Sequence, residues 1–392
     1  MAETVLPSRQ LRLTYPGKGE PWYTYDSLVD LADSATQAAG GLSDFVGQKT
    51  GADEKTLGPT FQLIPLLWLD IGIIYYSHEL AHGQRILYLG LDPDFHLEYD
   101  FSRALWPELR KERIKEIHPE ATRQDRIFSN IGPVNWHEFY ATTLARRMAL
   151  SGRLTFDEGM LYSLMLAPAD FIYLITTPLQ VDLFGIEKGD IRNYLAILEE
   201  GDVSISEREF GLRSGLAAAL SLQTWVGLFA LGRFLARGTR ETEMPALTLG
   251  ETSVYPPHFS LLGHWEGLWL AGELPIKRGK NVLFLYGGRD LLSNMDRFRF
   301  GAAYFALGPF TRFQLELVPS LYLDWPEKSL AKISRGEVGV SSALKLRVPL
   351  QKDRAYVELE PQLAHKDVIE NEIKARTGQT AFTLSLTFGL VY

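Results

Sequence analysis

The feature that most constrains the fold of this chain is a change of hydrophobic period near Met244 and Pro245. Before this point, apolar residues recur in long blocks with helical spacing. After it, apolar and polar residues alternate, as they do in strands whose two faces meet different surroundings. The sequence therefore predicts an α+β protein of two domains, a helical domain at residues 20–242 and an antiparallel β-domain at residues 245–392.

The strand-rich half ends on an aromatic residue, with apolar side chains at every second position before it. The positions are Leu384, Leu386, Phe388, Leu390 and Tyr392. This ending resembles the C-terminal signal of bacterial outer-membrane β-barrels. Together with strands of about ten residues, it favours a transmembrane-type barrel of about eight strands over a soluble sandwich, which also alternates. The resemblance implies a bacterial outer-membrane location, with the helical domain in the periplasm or against the barrel.

Composition limits the kinds of site that the chain can build. With no cysteine among 392 residues, thiolate metal sites, disulfides and thiol nucleophiles are excluded. A net charge of −8 gives no overall electrostatic basis for binding nucleic acid. Any metal ion must therefore be held by histidine and carboxylate side chains.

One motif in the helical half carries recognisable chemistry. Residues 78–82 read His-Glu-Leu-Ala-His, within an apolar block that predicts a helix. Residues four apart lie one above the other on a helix, so His78 and His82 can bind one ion. Glu79 can then act as general base toward water bound to that ion. This motif predicts a Zn²⁺ site with Glu79 as its catalytic residue.

A third protein ligand is needed, and a second apolar block offers one. Glu138 is followed three residues later by Ala141, and in this respect the chain resembles zinc metallopeptidases of the gluzincin type. The resemblance implies that Glu138 joins His78 and His82 as a zinc ligand. Thr142 stands where that family often has aspartate.

The chain also resembles site-2-type intramembrane metalloproteases, which carry the same histidine motif in an apolar helix and a later Gly-Pro-x-x-Asn segment. Residues 132–135 read Gly-Pro-Val-Asn, and Asp170 stands in place of a late aspartate ligand. The third ligand thus remains open between Glu138 and Asp170. The other candidates are His96, His118 and His137.

Residues 215–232 contain no charged side chain over about the length of one membrane span. They predict either a helix in contact with lipid or a buried core helix.

The function predicted from these patterns is that of a membrane-associated zinc metalloprotease acting on a periplasmic or membrane-proximal protein, with protein or peptide substrates and a lipid bilayer as partners. Tyr140 is a candidate donor to the oxyanion. A site-2-type intramembrane protease is one alternative. The other is a non-enzymatic outer-membrane scaffold or lipid-handling protein that keeps the motif without its chemistry.

Overall fold

The computed structural model describes residues 10–15, 25–51, 58–88, 95–96, 110–111, 122–172, 174, 189–201, 205–264, 267–291, 296–307, 311–324, 332–351, 355–365 and 380–391.

The half before the change of period is mainly helical, as predicted. Its helices are α1 (Tyr25–Thr50), α2 (Gly58–Tyr88), α3 (Arg123–Ser151), α4 (Phe156–Met160), a π-helical segment (Leu161–Leu166), α5 (Asp190–Glu199), α6 (Glu207–Leu220) and α7 (Leu222–Arg237).

Helix α3 is fixed at both ends by its own sequence. At its start, Thr122 and Asp125 form a reciprocal capping box, in which each side chain accepts the backbone N–H of the other residue. At its end, Gly152 adopts a left-handed conformation with φ 75° and donates its N–H to the carbonyl of Met148. These caps satisfy backbone groups that a helix end would otherwise leave without partners.

The core of the helical half forms around α3. Trp136, Tyr140 and Leu144 of this helix are fully buried, and they belong to one apolar cluster with Leu28 of α1 and Tyr162 of the π-helical segment. Helix α3 also contacts α2 and α5, which carry the candidate site. It is therefore the scaffold against which the site is held.

The strands are β1 (Gln10–Tyr15), β2 (Phe95–His96), β3 (Arg110–Lys111), β4 (Arg153–Thr155), β5 (Glu241–Glu243), β6 (Leu247–Leu249), β7 (Thr252–Val254), β8 (His258–His264), β9 (Gly267–Arg278), β10 (Asn281–Asp290), β11 (Asp296–Leu307), β12 (Thr311–Asp324), β13 (Lys332–Gln351), β14 (Ala355–His365) and β15 (Thr380–Val391).

Eleven of these strands form one antiparallel sheet. Its order is β1-β15-β14-β13-β12-β11-β10-β9-β7-β6, and β8 pairs with β9 next to β7. Strand β1 precedes the helical half in the chain, yet it pairs with the last strand, Gln10 opposite Val391. It lies outside both predicted domain ranges. Two separate pairs, β2 with β3 and β4 with β5, complete the described strands.

The prediction of a closed β-barrel of about eight strands is wrong. The described pairings form an open sheet, in which β1 and β6 are the end strands and do not pair with each other. Alternation of apolar and polar residues is the same in an open and in a closed sheet, so the pattern could not separate the two.

The outer edge of β8 shows why the sheet does not continue there. Residues two apart on a strand direct their backbone groups to the same edge, and on β8 helix side chains take up these groups. The amide of Asn135 donates to the carbonyl of Gly263 at 2.8 Å and accepts its N–H at 2.9 Å. The hydroxyl of Ser221 likewise donates to the carbonyl of Phe259 at 3.1 Å and accepts its N–H at 2.8 Å. These polar side chains occupy places that a further strand would take.

Replacing Asn135 with alanine is expected to destabilise the protein by about 1–3 kcal/mol, because two buried backbone groups of Gly263 lose their partner. Asn130→Ala on the same helix is the matched control, since its amide only donates to the carbonyl of Arg126 one turn earlier. The free energy of unfolding from denaturant titration measures both. Equal losses in the two variants would contradict a special role for the strand edge.

Candidate metal centre

The two histidines of the motif lie on one face of α2, as their spacing predicts. His78 and His82 are both buried, and their ring centroids are 5.4 Å apart with an interplanar angle of 82°. Glu79, the next residue after His78, is buried as well. The helix therefore brings two imidazoles and one carboxyl group into the protein interior together.

The third member of the group is Asp190, the first residue of α5. Its Oδ2 atom lies 3.0 Å from Nε2 of His78 and 3.1 Å from Nε2 of His82. A carboxylate in the first turn of a helix is stabilised in its ionised form by the positive end of the helix dipole. The start of α5 thus delivers a negative charge to the two histidine rings.

The hydrogen bond of His82 assigns its tautomer. Nδ1 of His82 lies 3.0 Å from the backbone carbonyl oxygen of Ser129, which can only accept a hydrogen bond. Nδ1 therefore carries a proton, and in the neutral ring Nε2 presents a lone pair. Metal-binding histidines are commonly oriented in this way, by donating their other N–H to a carbonyl group.

Electrostatics require a positive charge in this group. A lone pair on Nε2 of His82 facing a carboxylate oxygen at 3.1 Å is repulsive unless a proton or a cation lies between them. One ligand atom from each of His78, His82 and Asp190 lies within 4.8 Å of the others. Two ligands on a tetrahedral Zn²⁺ are roughly 3.3 Å apart, given metal–ligand bonds of about 2.0–2.1 Å. This buried group could bind a metal ion.

Glu138 and Asp170 are not members of this three-residue group and interact with each other as a buried acidic pair. Burial and the charge of Asp170 raise the pKa of Glu138 well above its usual value, while a hydrogen bond accepted from the N–H of Leu261 acts in the opposite direction. Burial raises the pKa of Asp170 to about 8. Glu138 has the same structural role as Asn135 and Ser221, because it also accepts a backbone N–H at the outer edge of β8.

His137 stands beside the metal group without joining it. Its ring centroid is 5.1 Å from that of His78. Burial lowers the pKa of His137 well below the usual value; the neighbouring His78 acts in the same direction and Asp190 opposes it. The side chain of His96 and the whole of His118 lie outside the described residues.

Tyr140, the candidate oxyanion donor, has hydrogen-bond partners on α1. Its hydroxyl lies 2.7 Å from that of Thr36 and 3.4 Å from a carboxylate oxygen of Asp33, so it joins α3 to α1.

Sequence reasoning missed Asp190. The residue lies 108 positions after His82, and no fixed spacing connects the two. The available signal was local: Gly189 and Asp190 begin an amphipathic helix whose apolar positions, Ile191, Tyr194 and Leu198, are buried. An acidic residue at a helix start has a common structural explanation, so this signal alone does not indicate a ligand.

Comparison with known proteins adds no family or relative: no protein-family model, curated protein or solved structure matches the chain. The site itself is therefore the basis for assigning a function.

Replacing Asp170 with asparagine is expected to change how stability depends on pH. A folded-state pKa of about 8 means that the folded protein holds this proton more tightly than the unfolded chain does. The stabilisation is complete below the unfolded pKa of about 4 and is lost as the pH rises to about 8. Asp170→Asn should remove this decline, which amounts to at most about 1.4 kcal/mol per pH unit, and should be the more stable protein at pH 8.

Thermal and denaturant unfolding from pH 4 to 9 would measure the difference between Asp170→Asn and the unchanged protein. Glu200→Gln is the control, because this carboxylate is exposed and paired with Arg126. An unchanged pH profile in Asp170→Asn would show that the buried pair does not hold a proton in the folded protein.

Proposed function

We propose that this protein is a zinc-dependent peptidase whose ion is held by His78, His82 and Asp190. The observation that carries the proposal is the convergence of two imidazole nitrogens on one carboxylate oxygen inside the protein, at 3.0 and 3.1 Å. Two histidines and one carboxylate are a ligand set found in catalytic zinc sites, which use three protein ligands and leave the fourth position to water or substrate.

Zinc bound there would supply a water of lowered pKa and would polarise a substrate carbonyl. The other roles belong to the chain. Glu79 takes the proton of the attacking water and transfers it to the leaving amine. The carbonyl of Ser129 holds His82 in the tautomer that presents Nε2. Burial of the three ligands keeps bulk water out and strengthens their charge interactions.

Of the two resembled families, the position of Asp190 supports the site-2-type alternative more than the gluzincin type. In the former, the third ligand is an aspartate late in the chain; in the latter, it is a glutamate on the next helix, where Glu138 stands. The helix that carries the histidines also has the length and apolar composition of a membrane span over residues 58–83. An intramembrane metalloprotease is therefore the second candidate function.

The predicted outer-membrane location was implied by the resemblance of the C-terminal ending to outer-membrane β-barrels, and the described sheet does not form the closed barrel of that resemblance. The location stays a prediction, which cell fractionation would test.

Metal analysis of purified protein tests the site. We expect about one zinc per chain, and near-complete loss in His78→Ala, His82→Ala and Asp190→Ala. Glu138→Gln is the matched control, because this carboxylate binds the edge of β8 and should leave the zinc content unchanged. Zinc lost in Glu138→Gln and kept in Asp190→Ala would overturn this ligand set.

Glu79→Gln separates metal binding from catalysis. The variant should keep its zinc, while peptide hydrolysis falls by about 10²–10⁴-fold, the range for loss of a general base. Cleavage of a fluorogenic peptide library, with and without a chelator, supplies the measurement. Bound zinc with no hydrolysis in the unchanged protein would favour the non-enzymatic alternative.

A further inference from the structure

A row of large apolar side chains is exposed along one side of α2. The residues recur every three or four positions, and so lie on one helical face. They are Phe61, Ile64, Trp68, Ile71 and Tyr75, exposed by 37–69%.

A second such row follows α6 and α7. These two helices meet at Ser221 with a bend of 67°. Helix α7 contacts α2, so the two rows belong to neighbouring elements. The second row consists of Leu212, Leu216, Leu220, Leu222, Trp225 and Phe229, exposed by 47–60%. The two rows together are called the apolar belt.

Several polar side chains located between the ends of the two rows are buried. On α2, Asp70 is the only charged residue between Phe61 and Tyr75, and it is 1% exposed. On α7, Gln223 is buried and donates to the carbonyl of Pro256. Thr224, also buried, donates to the carbonyl of Ala218. Surface helices of water-soluble proteins differ in their outer face, which is polar.

The exposed apolar face of these helices indicates which environment the belt contacts. In water, contiguous apolar patches larger than a few hundred Å² are rare on monomeric proteins. A protein partner normally meets an apolar centre bordered by a polar rim. Here residues 214–232 contain no charged side chain, and charge returns only at Arg213 and Arg233 on either side.

The dimensions agree with a bilayer. The apolar window Gly58–Gly83 has 26 residues, about 39 Å of helix at 1.5 Å per residue. The hydrocarbon core of a membrane is about 30 Å thick. The pair α6 and α7 passes the same test of length and composition when taken as one broken span.

We propose that the apolar belt contacts the acyl chains of a lipid bilayer, and hence that the helical half rather than the sheet attaches this protein to a membrane. The inference does not depend on the metal site. Helix α2 carries both the first row of the belt and the two histidines. The candidate metal centre therefore lies toward the end of a helix in contact with lipid.

The belt contains two exposed tryptophans whose fluorescence can report on contact with lipid. Trp68 and Trp225 are 45% and 55% exposed, whereas Trp136 is fully buried. In vesicles of phosphatidylcholine brominated on the acyl chains, the fluorescence of the full-length protein should be quenched relative to unbrominated vesicles. Most of this quenching should disappear in the double variant Trp68→Phe and Trp225→Phe. Trp136→Phe is the matched control, and it should leave the quenched component unchanged.

A charge substitution provides a second test. Ile64→Lys places an ammonium group in the belt and should lower vesicle binding by on the order of tenfold or more. Leu249→Lys, at an equally exposed apolar position on β6 outside the belt, should have no such effect. Circular dichroism would confirm that both variants are folded.

Two results would overturn the proposal. One is quenching by brominated lipid that is the same with and without Trp68 and Trp225. The other is a protein that stays monodisperse in detergent-free buffer and does not bind phosphatidylcholine vesicles. This outcome would count against the proposal whether the protein is a monomer or an oligomer in which a second copy covers the belt.

Discussion

The meeting of His78 and His82 with one oxygen of Asp190 is the interaction on which the functional interpretation of this structure depends. Oδ2 of Asp190 lies 3.0 Å from Nε2 of His78 and 3.1 Å from Nε2 of His82. Because Nδ1 of His82 donates to the carbonyl of Ser129, the contact of its Nε2 with the carboxylate is favourable only with a proton or a cation between them. It requires α2 and the start of α5 to lie together, with Ser129 of α3 fixing the tautomer of His82. The packing of α2 and α5 against α3 therefore determines whether the histidine motif can form a metal site.

Helix α3 also connects the site to the sheet. One part of this helix places the Ser129 carbonyl at His82, and about two turns later Asn135 and Glu138 bind the outer edge of β8. These polar groups of α3 thus have two separate uses. One set holds the ligand ring, and the other satisfies backbone groups of an edge strand that would otherwise attract another strand.

Contact of the apolar belt with lipid, as proposed, would give several buried polar groups of α2 and α7 a common explanation. In lipid, a polar side chain on the outside of a helix is costly, so polar residues on helices in contact with lipid lie toward the protein. Asp70, Gln223 and the two histidines all follow this rule, while Phe61 and Phe229 lie outside. The proposed contact with lipid and the polar interior are thus consistent with each other.

The sequence by itself determined what depends on neighbours in the chain. The change of period separated helices from antiparallel strands, and the four-residue spacing placed His78 and His82 on one face of a helix, because both features follow from local backbone geometry. Only the tertiary structure decided what depends on distant contacts. The pairing of β1 with β15, the binding of helix side chains to the edge of β8 and the placement of Asp190 beside the two histidines all join segments far apart in the chain. Their positions are set by the packing of α2, α3 and α5, and no periodicity in the sequence records that packing.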